Sequence, residues 1–228
     1  MIDTERIMAN SIPINHDGSH VIYWMTSARR SRWNHGLDHA IDLANEANVP
    51  LIVVESLALG HRWANDRIHT FVLQGMIDNR KLFESAPLTY VPYVETKQGQ
   101  ASGLLRSFTK GAVAMIIDDF PTYMPRDVAN RAMEIGECCV IAVDSNGLIP
   151  LRTPQRSFTT AYSFRRYLHK NVLGFLAKPP MAEPLKALND LPDGKAIVEE
   201  AFARVNVPIT PYEFIWRVAE ASLEGRDA

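Results

Sequence analysis

The side chains best suited to chemistry in this 228-residue chain stand in short groups, each close behind an apolar run. Thr26, Ser27, Arg29 and Arg30 follow residues 21–25, Glu55 follows 51–54, and Glu95 follows 88–94. Asp118 and Asp119 follow residues 112–117, and Asp144, Ser145 and Asn146 follow 138–143. If each run is a strand of one parallel sheet, these groups gather at its carboxyl ends, where open α/β sheets bind ligands. A crevice carrying both signs of charge suits a polar or heterocyclic ligand held by hydrogen bonds. Loops that are polar simply because they meet water are the plain alternative.

Several chemistries are disfavoured by what the same positions lack. A turn that lets a backbone approach a pyrophosphate needs glycine, and TSARRSR after the first run has none. No GxxxxGK[ST] pattern occurs either, so a simple NAD-dependent dehydrogenase or a P-loop nucleotidase does not fit. Arg29, Arg30 and Arg32 remain able to meet an anion at a helix start, or to stand as a solvated basic loop. His35 and His39 have the four-residue spacing of a metal pair. They fall opposite the apolar positions Leu37, Ala40, Ile41 and Ala44, on the side of Asp42 and Glu46, so a surface position and no metal are expected. Cys138 and Cys139 are adjacent in a strand-like run and point to opposite faces, which makes them small core residues rather than a disulfide. No serine, cysteine or histidine motif marks a nucleophilic hydrolase, and no catalytic residue is assigned.

The elements that must position these groups follow from hydrophobic periodicity. Residues 21–56 read as strand, basic loop, amphipathic helix (Trp33, Leu37, Ala40, Ile41, Ala44) and buried strand, a right-handed βαβ crossover. A helix over 61–83 follows, with Ile68, Phe71, Val72, Met76 and Phe83 at helical spacing, Asn65 and Asp66 as caps, and Gly75 read as a close approach to the sheet. Then come a strand (88–94), a short helix (101–108), a strand (112–117), a helix (125–135) and a strand (138–143). This alternation predicts an α/β, Rossmann-like, doubly wound sheet of five mainly parallel strands, with a mostly helical, proline-rich C-terminal extension. The expected divisions are an arm (1–19), the α/β domain (20–150), a linker with short helices near 160–168 and 196–204 (151–208), and the start of a further helical domain (209–228). The last helix, 211–224, would carry Phe214, Ile215, Val218 and Leu223 on an apolar face needing a partner.

A formal charge of -2 and a pI near 6.4 give no global sign of nucleic-acid or membrane binding. No leader pattern or membrane-length apolar run is seen, and a cytoplasmic protein is expected. One local cluster stands out. Residues 145–182 contain no acid but carry Arg152, Arg156, Arg165, Arg166, Lys170 and Lys178, interleaved with Phe158, Tyr162, Phe164 and Tyr167. Such a mixture suits phosphates and stacked rings. The preferred reading is a linker that packs its aromatics inward and pairs its arginines with acidic surface elsewhere.

Five ordered blocks carry a resemblance. NSIPINHDGSHVIYWM with Arg30 and Asn34, RIHTFVLQGM, AMIIDDFPTYMPR, VDSNGLIPLR and SFTTAYSFRRYLHK resemble, from about Ile7 to Lys170, the amino-terminal part of class II cyclobutane pyrimidine dimer photolyases. The resemblance implies a light-harvesting α/β antenna domain joined by a linker to a helical domain that binds FAD and UV-damaged DNA. In such enzymes excited, reduced FAD donates an electron to the flipped dimer, and the carbon–carbon bonds of the cyclobutane ring split. It also implies a pigment, often a deazaflavin, in a crevice at Trp24, Met25, Arg30, Asn34, Glu55, Asp118, Asp144 and Asn146. Arg152, Arg156, Arg165, Arg166 and Lys170 would face nucleic acid or the other domain. Class II members typically have arginine and aspartate where this chain has Ser27 and Ala28, and histidine at Asn146, so the implied pigment site is altered or lost. The helical FAD domain has no counterpart in these residues, and the chain alone is expected not to repair DNA. A stand-alone small-ligand module of the same fold is the second reading.

Overall fold

A computed structural model describes residues 2–60, 62–211 and 213–217. The apolar runs form β2 (Val21–Met25), β3 (Leu51–Leu57), β4 (Thr89–Val94), β5 (Ala114–Asp118) and β6 (Cys139–Val143), all mutually parallel. Between and after them lie α1 (His35–Ala47), α2 (Asp66–Phe83), α3 (Leu104–Thr109), α4 (Tyr123–Ile135), α5 (Ala161–Leu176) and α6 (Lys195–Arg204). The expected doubly wound α/β sheet is present, but it has six strands rather than five. The arm supplies β1 (Ile7–Ala9), which runs antiparallel to β6 and completes the order β1-β6-β5-β2-β3-β4. Three residues are too few to show a period, so the arm's strand was invisible to pattern reading. It covers the edge β6 would otherwise expose.

Near-continuous apolar runs make sense because each central strand is buried on both faces. Ile22 and Trp24 face one core with Ile52, Val54, Met115, Ile117 and Phe108, while Val21, Tyr23 and Met25 face another with Leu37, Ile41, Val53 and Ile116. Cys138 and Cys139 divide between the same two cores as free thiols, and burial pushes the Cys138 thiol up to about 12, leaving it unreactive at neutral pH.

The helix starts follow their caps. Asn34 accepts from the Leu37 amide, Asn65 from Ile68 and Thr160 from Ser163. Trp33 therefore lies outside α1, not on its apolar stripe: it sits at φ 51° and is 51% exposed. Gly75 has no heavy atom within 4 Å of the place a Cβ would occupy, so it marks no close approach. That role falls to Gly36, where a Cβ would stand 3.1 Å from the Tyr23 ring.

The tail departs most from expectation. α5 runs to Leu176 and has no buried residue, so its aromatics do not pack inward. Phe158 instead meets Phe164 and Tyr167 at 5.2 Å each, a cluster confined to this segment. Beyond it the chain returns to the sheet: Leu191 enters one core, and Val198, Ala201, Phe202 and Val207 enter the other. Residues 213–217 are helical; Ile215 is buried against Leu57, Leu73, Met76, Ile77 and Val94, so this chain covers it, while Phe214 stays exposed. Val218 and Leu223 lie outside the described residues.

Candidate functional site

At the carboxyl end of β5, Asp118 organises the loop that follows β2. Its Oδ2 accepts from the backbone amides of Thr26 (2.8 Å), Ser27 (2.8 Å) and Ala28 (2.9 Å), and its Oδ1 accepts from the Tyr23 hydroxyl at 2.6 Å. Asn34 closes the far side, donating to the Ala28 carbonyl (3.0 Å), the Arg30 carbonyl (2.9 Å) and the Tyr23 oxygen (2.9 Å). Consecutive backbone amides converging on one anion is the geometry used elsewhere to hold phosphate. Here the anion is a side chain of the protein. Burial, then the neighbouring Asp118 charge, pushes the Tyr23 phenol well above its ordinary range, so it stays protonated and donates. Since β2 and β5 flank the point where the strand order reverses, Asp118 fills the crevice where a doubly wound sheet ordinarily binds its ligand.

The other acidic groups are likewise engaged within the protein. Glu55 lies inside β3 and accepts from Arg29 (3.0 Å), Asn79 (3.0 Å) and the Tyr90 hydroxyl (2.6 Å). Glu95 accepts from the amides of Leu59 and Ala101. Asp119 pairs with Arg126 at 2.9 Å and with Arg152. Asp144 accepts from the Asn146 amide and side chain, both at 2.9 Å, and from the Leu151 amide at 2.6 Å. Of the crevice residues named from the sequence, Asn34 and Asp118 thus share one network, as do Asp144 and Asn146, while Trp24 and Met25 point into opposite cores.

Open space lies beside this network. A cavity of about 520 Å³ is bounded by Arg6, Arg30, Trp33, His35, Phe175 and Lys178, with Ser145 and Asn146 at the end of β6. A larger one, about 610 Å³, is lined by residues 89–92 of β4 and 190–193 of the tail. Size alone would favour the second, but the first sits where the strand ends, the start of α1 and three cations meet. The sequence placed Arg30 and Asn146 here, set Trp33 on a helix stripe and His35 on the surface, and offered no sign of Arg6 or Phe175, because arm and tail are brought to the sheet only by tertiary folding.

His35 is buried, not on the surface, since the segment that follows α5 lies over the start of α1. There the Met181 amide donates to Asp38 at 2.9 Å and the Trp33 amide to the Met181 carbonyl at 3.0 Å. Burial, then Arg6, lowers the His35 pKa to about 4, and burial raises Asp38 to about 6. Asp144, Asp3 and Arg30 also act on His35, and Asp42 on Asp38. The two act oppositely on stability. Between pH 6.5 and 4 the unfolded chain protonates His35 while the fold does not, so this contribution falls as pH falls; between 6 and 3.8 the fold holds the Asp38 proton that the unfolded chain releases, so that contribution rises. His35→Gln is therefore expected to make urea stability increase on acidification from pH 6 to 4 relative to the parent, and Asp38→Asn to make it decrease; parallel profiles for all three proteins would refute the assignment. Among the described residues no group of three or more His, Cys, Asp or Glu could hold a metal ion.

The basic stretch is only partly neutralised. Arg152 reaches Asp119, but Arg156, Arg165, Arg166 and Lys170 form no ion pair among the described residues. Arg156 lies over Phe158 at 4.9 Å and Arg166 over Tyr162 at 5.9 Å. Pairing with acidic surface therefore applies to Arg152 alone among these five.

No protein-family model matches the chain. It is 30% identical over 154 residues to the deoxyribodipyrimidine photo-lyase of Methanothermobacter thermautotrophicus, covering 67% of this chain and 34% of that protein. With the deoxyribodipyrimidine photo-lyase of Arabidopsis thaliana it shares 27% identity over 181 residues, covering 76% and 35%. The chain spans about a third of the length of these curated relatives. An archaeal photolyase from Sulfolobus tokodaii, solved with two FAD molecules, superposes with a TM-score of 0.53 at 14% identity over 88% of this chain and 41% of that one, a likeness of fold. The chain is thus similar in sequence to two curated photolyases over about a third of their length, and its mixed α/β fold is similar to that of the photolyase amino-terminal domain.

Proposed function

We propose that this chain is the α/β portion of a class II cyclobutane dimer photolyase, with a scaffold and light-harvesting role. The observation that carries the reading is the sequence likeness across two thirds of the chain to a curated photolyase. Under it, FAD and the damaged DNA are handled by a helical part lying outside these 228 residues, and bound FAD supplies the light-driven electron transfer that splits the dimer. The described residues fit a pigment beside Asp118 rather than at it. Trp33 and Phe175 offer ring surfaces, and Arg30, Lys178, Ser145 and Asn146 offer polar contacts. No residue here is assigned a catalytic role; the chain's own task is to bind and orient.

Purification of the chain, alone and together with whatever coding sequence follows it, tests the reading by visible absorbance and by blue-light reversal of thymine dimers in an irradiated oligonucleotide. The longer protein is expected to carry flavin absorbance and to reverse dimers, and the 228 residues alone to do neither. A longer protein without flavin would overturn the proposal. For the basic stretch, Arg165→Glu with Arg166→Glu is expected to weaken DNA binding by the longer protein and to flatten log K against log salt by about two units of slope. An unchanged slope would return those residues to a packing role. A cytoplasmic location belongs to the same reading; no helix of the described residues is long and apolar enough to cross a membrane.

A second reading, a stand-alone module that binds a small ligand, draws on the burial of Phe202 and Ile215 by the chain's own core. It requires a stable, monodisperse chain that copurifies with a ligand.

A further inference from the structure

Two helices carry a seam of side chains that the fold leaves uncovered. α2 turns Leu73, Met76, Ile77 and Phe83 inward, yet Ile68, Phe71 and Leu82 on its other side are exposed, Phe71 by 77%. They fall in line with Gly75 and Asp78, because residues 68, 71, 75, 78 and 82 advance by three, four, three and four, the spacing of a seam between paired helices. Gly75 is the odd member. Nothing lies within 4 Å of the place its Cβ would occupy, and a glycine inside a helix costs stability relative to alanine. No contact among the described residues offsets that cost, whereas a second helix crossing closely over the position would.

α5 has the complementary pattern. None of its residues is buried, and Tyr162, Arg166, His169, Leu173 and Leu176 share one exposed side at steps of four, three, four and three. Run antiparallel to α2, it meets that helix step for step: Leu176 opposite Ile68, Leu173 opposite Phe71, His169 opposite Gly75, Arg166 opposite Asp78 and Tyr162 opposite Leu82. Apolar side chains meet at both ends, a ring falls on the glycine, and a cation falls on an acid. Asp78 is held only by an exposed pairing with Lys81 at 3.3 Å, a weak tie, and Arg166 forms no ion pair among the described residues. Neither helix matches a copy of itself so well. α2 on α2, centred on Gly75, sets Phe71 against Asp78, and α5 on α5, centred on His169, sets Arg166 against Leu173.

We propose that the chain associates with a second copy of itself through antiparallel pairing of α2 from one copy with α5 from the other, with Gly75 at the crossing and Asp78 against Arg166 setting direction and register. Each copy carries both halves, so identical chains suffice and no ligand is required. The seam spans about 21 Å of helix at 1.5 Å per residue, which is short for a permanent interface and suits a reversible one.

Sedimentation equilibrium of the purified chain, without DNA, reads the association directly: the weight-average mass is expected to rise with concentration above that of one chain. Asp78→Arg and Arg166→Asp are each expected to weaken association at least about tenfold, since each sets like charges face to face. Mixed in equal amounts, the two variants are expected to associate with each other as strongly as the parent does with itself, and one chain carrying both exchanges is expected to self-associate again. Gly75→Leu is expected to abolish association while the diluted protein keeps its circular dichroism and an unfolding midpoint no lower than the parent's, because the single chain has room for the side chain and a helix interior favours it. A mass that stays at one chain up to about 500 µM would overturn the proposal, as would failure of both the mixture and the double exchange to recover, or Gly75→Leu associating like the parent. A longer protein that is monomeric with Phe71 and Leu173 shielded by its own further residues would assign the seams to that part instead and equally overturn it. The absence of DNA keeps these outcomes separate from the reading of Arg165 and Arg166 as facing nucleic acid.

Discussion

Asp118→Ala is expected to lower the unfolding free energy by about 4 kcal/mol, because one buried carboxylate satisfies four donors and each orphaned buried donor costs on the order of 1–3 kcal/mol before water refills the space. The side chain is 1% exposed, so the Thr26, Ser27 and Ala28 amides and the Tyr23 hydroxyl lose their acceptor together. Asp118→Asn keeps the shape and one acceptor oxygen and is expected to cost about half as much, with its amide turned toward Tyr23 as a donor. Urea unfolding at pH 7 reads both effects as a lower midpoint at unchanged slope. Amide exchange at 26–28 is expected to accelerate selectively, since the loop loses its anchor while the strands keep theirs. A midpoint within error of the parent would show that the loop is held by Asn34 alone and that the crevice between β2 and β5 is available to a ligand.

Phe108→Ala is expected to cost a similar amount, about 4 kcal/mol, through the cavity left by a fully buried ring. Phe108 is 0% exposed and joins three parts of the fold: it lies on α3, meets Trp24 of β2 edge-on at 6.0 Å, and meets Phe202 of α6 edge-on at 5.8 Å. For a chain of this size the thermal midpoint is expected to fall by about 8–16 °C. The substitution should also loosen the tail, because the ring that Phe202 meets is lost and what still joins α3 to α6 is the apolar packing of Leu104 with two polar ties, Ser107 Oγ to the Ala201 carbonyl at 2.7 Å and Arg204 to the Ser107 carbonyl at 3.0 Å. Limited proteolysis is expected to cut first within 177–194, ahead of the sheet. If the tail stays protected while the midpoint falls, α6 is docked by Leu104 and those polar ties rather than by ring packing. Phe108→Leu, which refills part of the volume, is expected to cost less than half as much.

Asp118 shows why the strand-end polar groups read as a ligand crevice and fold largely as a self-contained network. A carboxylate at the end of a strand is equally able to hold a ligand or to hold the neighbouring loop, and the loop after β2 is short enough to reach Asp118 itself. The same choice repeats at Glu95 and Asp144, each of which accepts backbone amides from the segment beyond its strand. What remains open is the space beside them, where the cations outnumber the acids.

The amino-acid sequence by itself determined the α/β class, the five parallel strands, their order along the chain and the identity of the polar groups at their ends. Period-two and period-3.6 patterns depend only on local backbone geometry, and a residue after a buried strand must emerge at the sheet's end. It also carried the likeness to photolyases, which the relatives bear out. Only the tertiary structure decided that Ile7–Ala9 pairs with β6, that Phe202 and Ile215 are covered by this chain, and that Arg6, Trp33, His35, Phe175 and Lys178 share one cavity. Those facts join residues more than a hundred positions apart, and no local periodicity encodes a contact at that range. How a buried charge is satisfied is settled by that long-range packing: Asp118 found four donors, and Arg6 found three carbonyls.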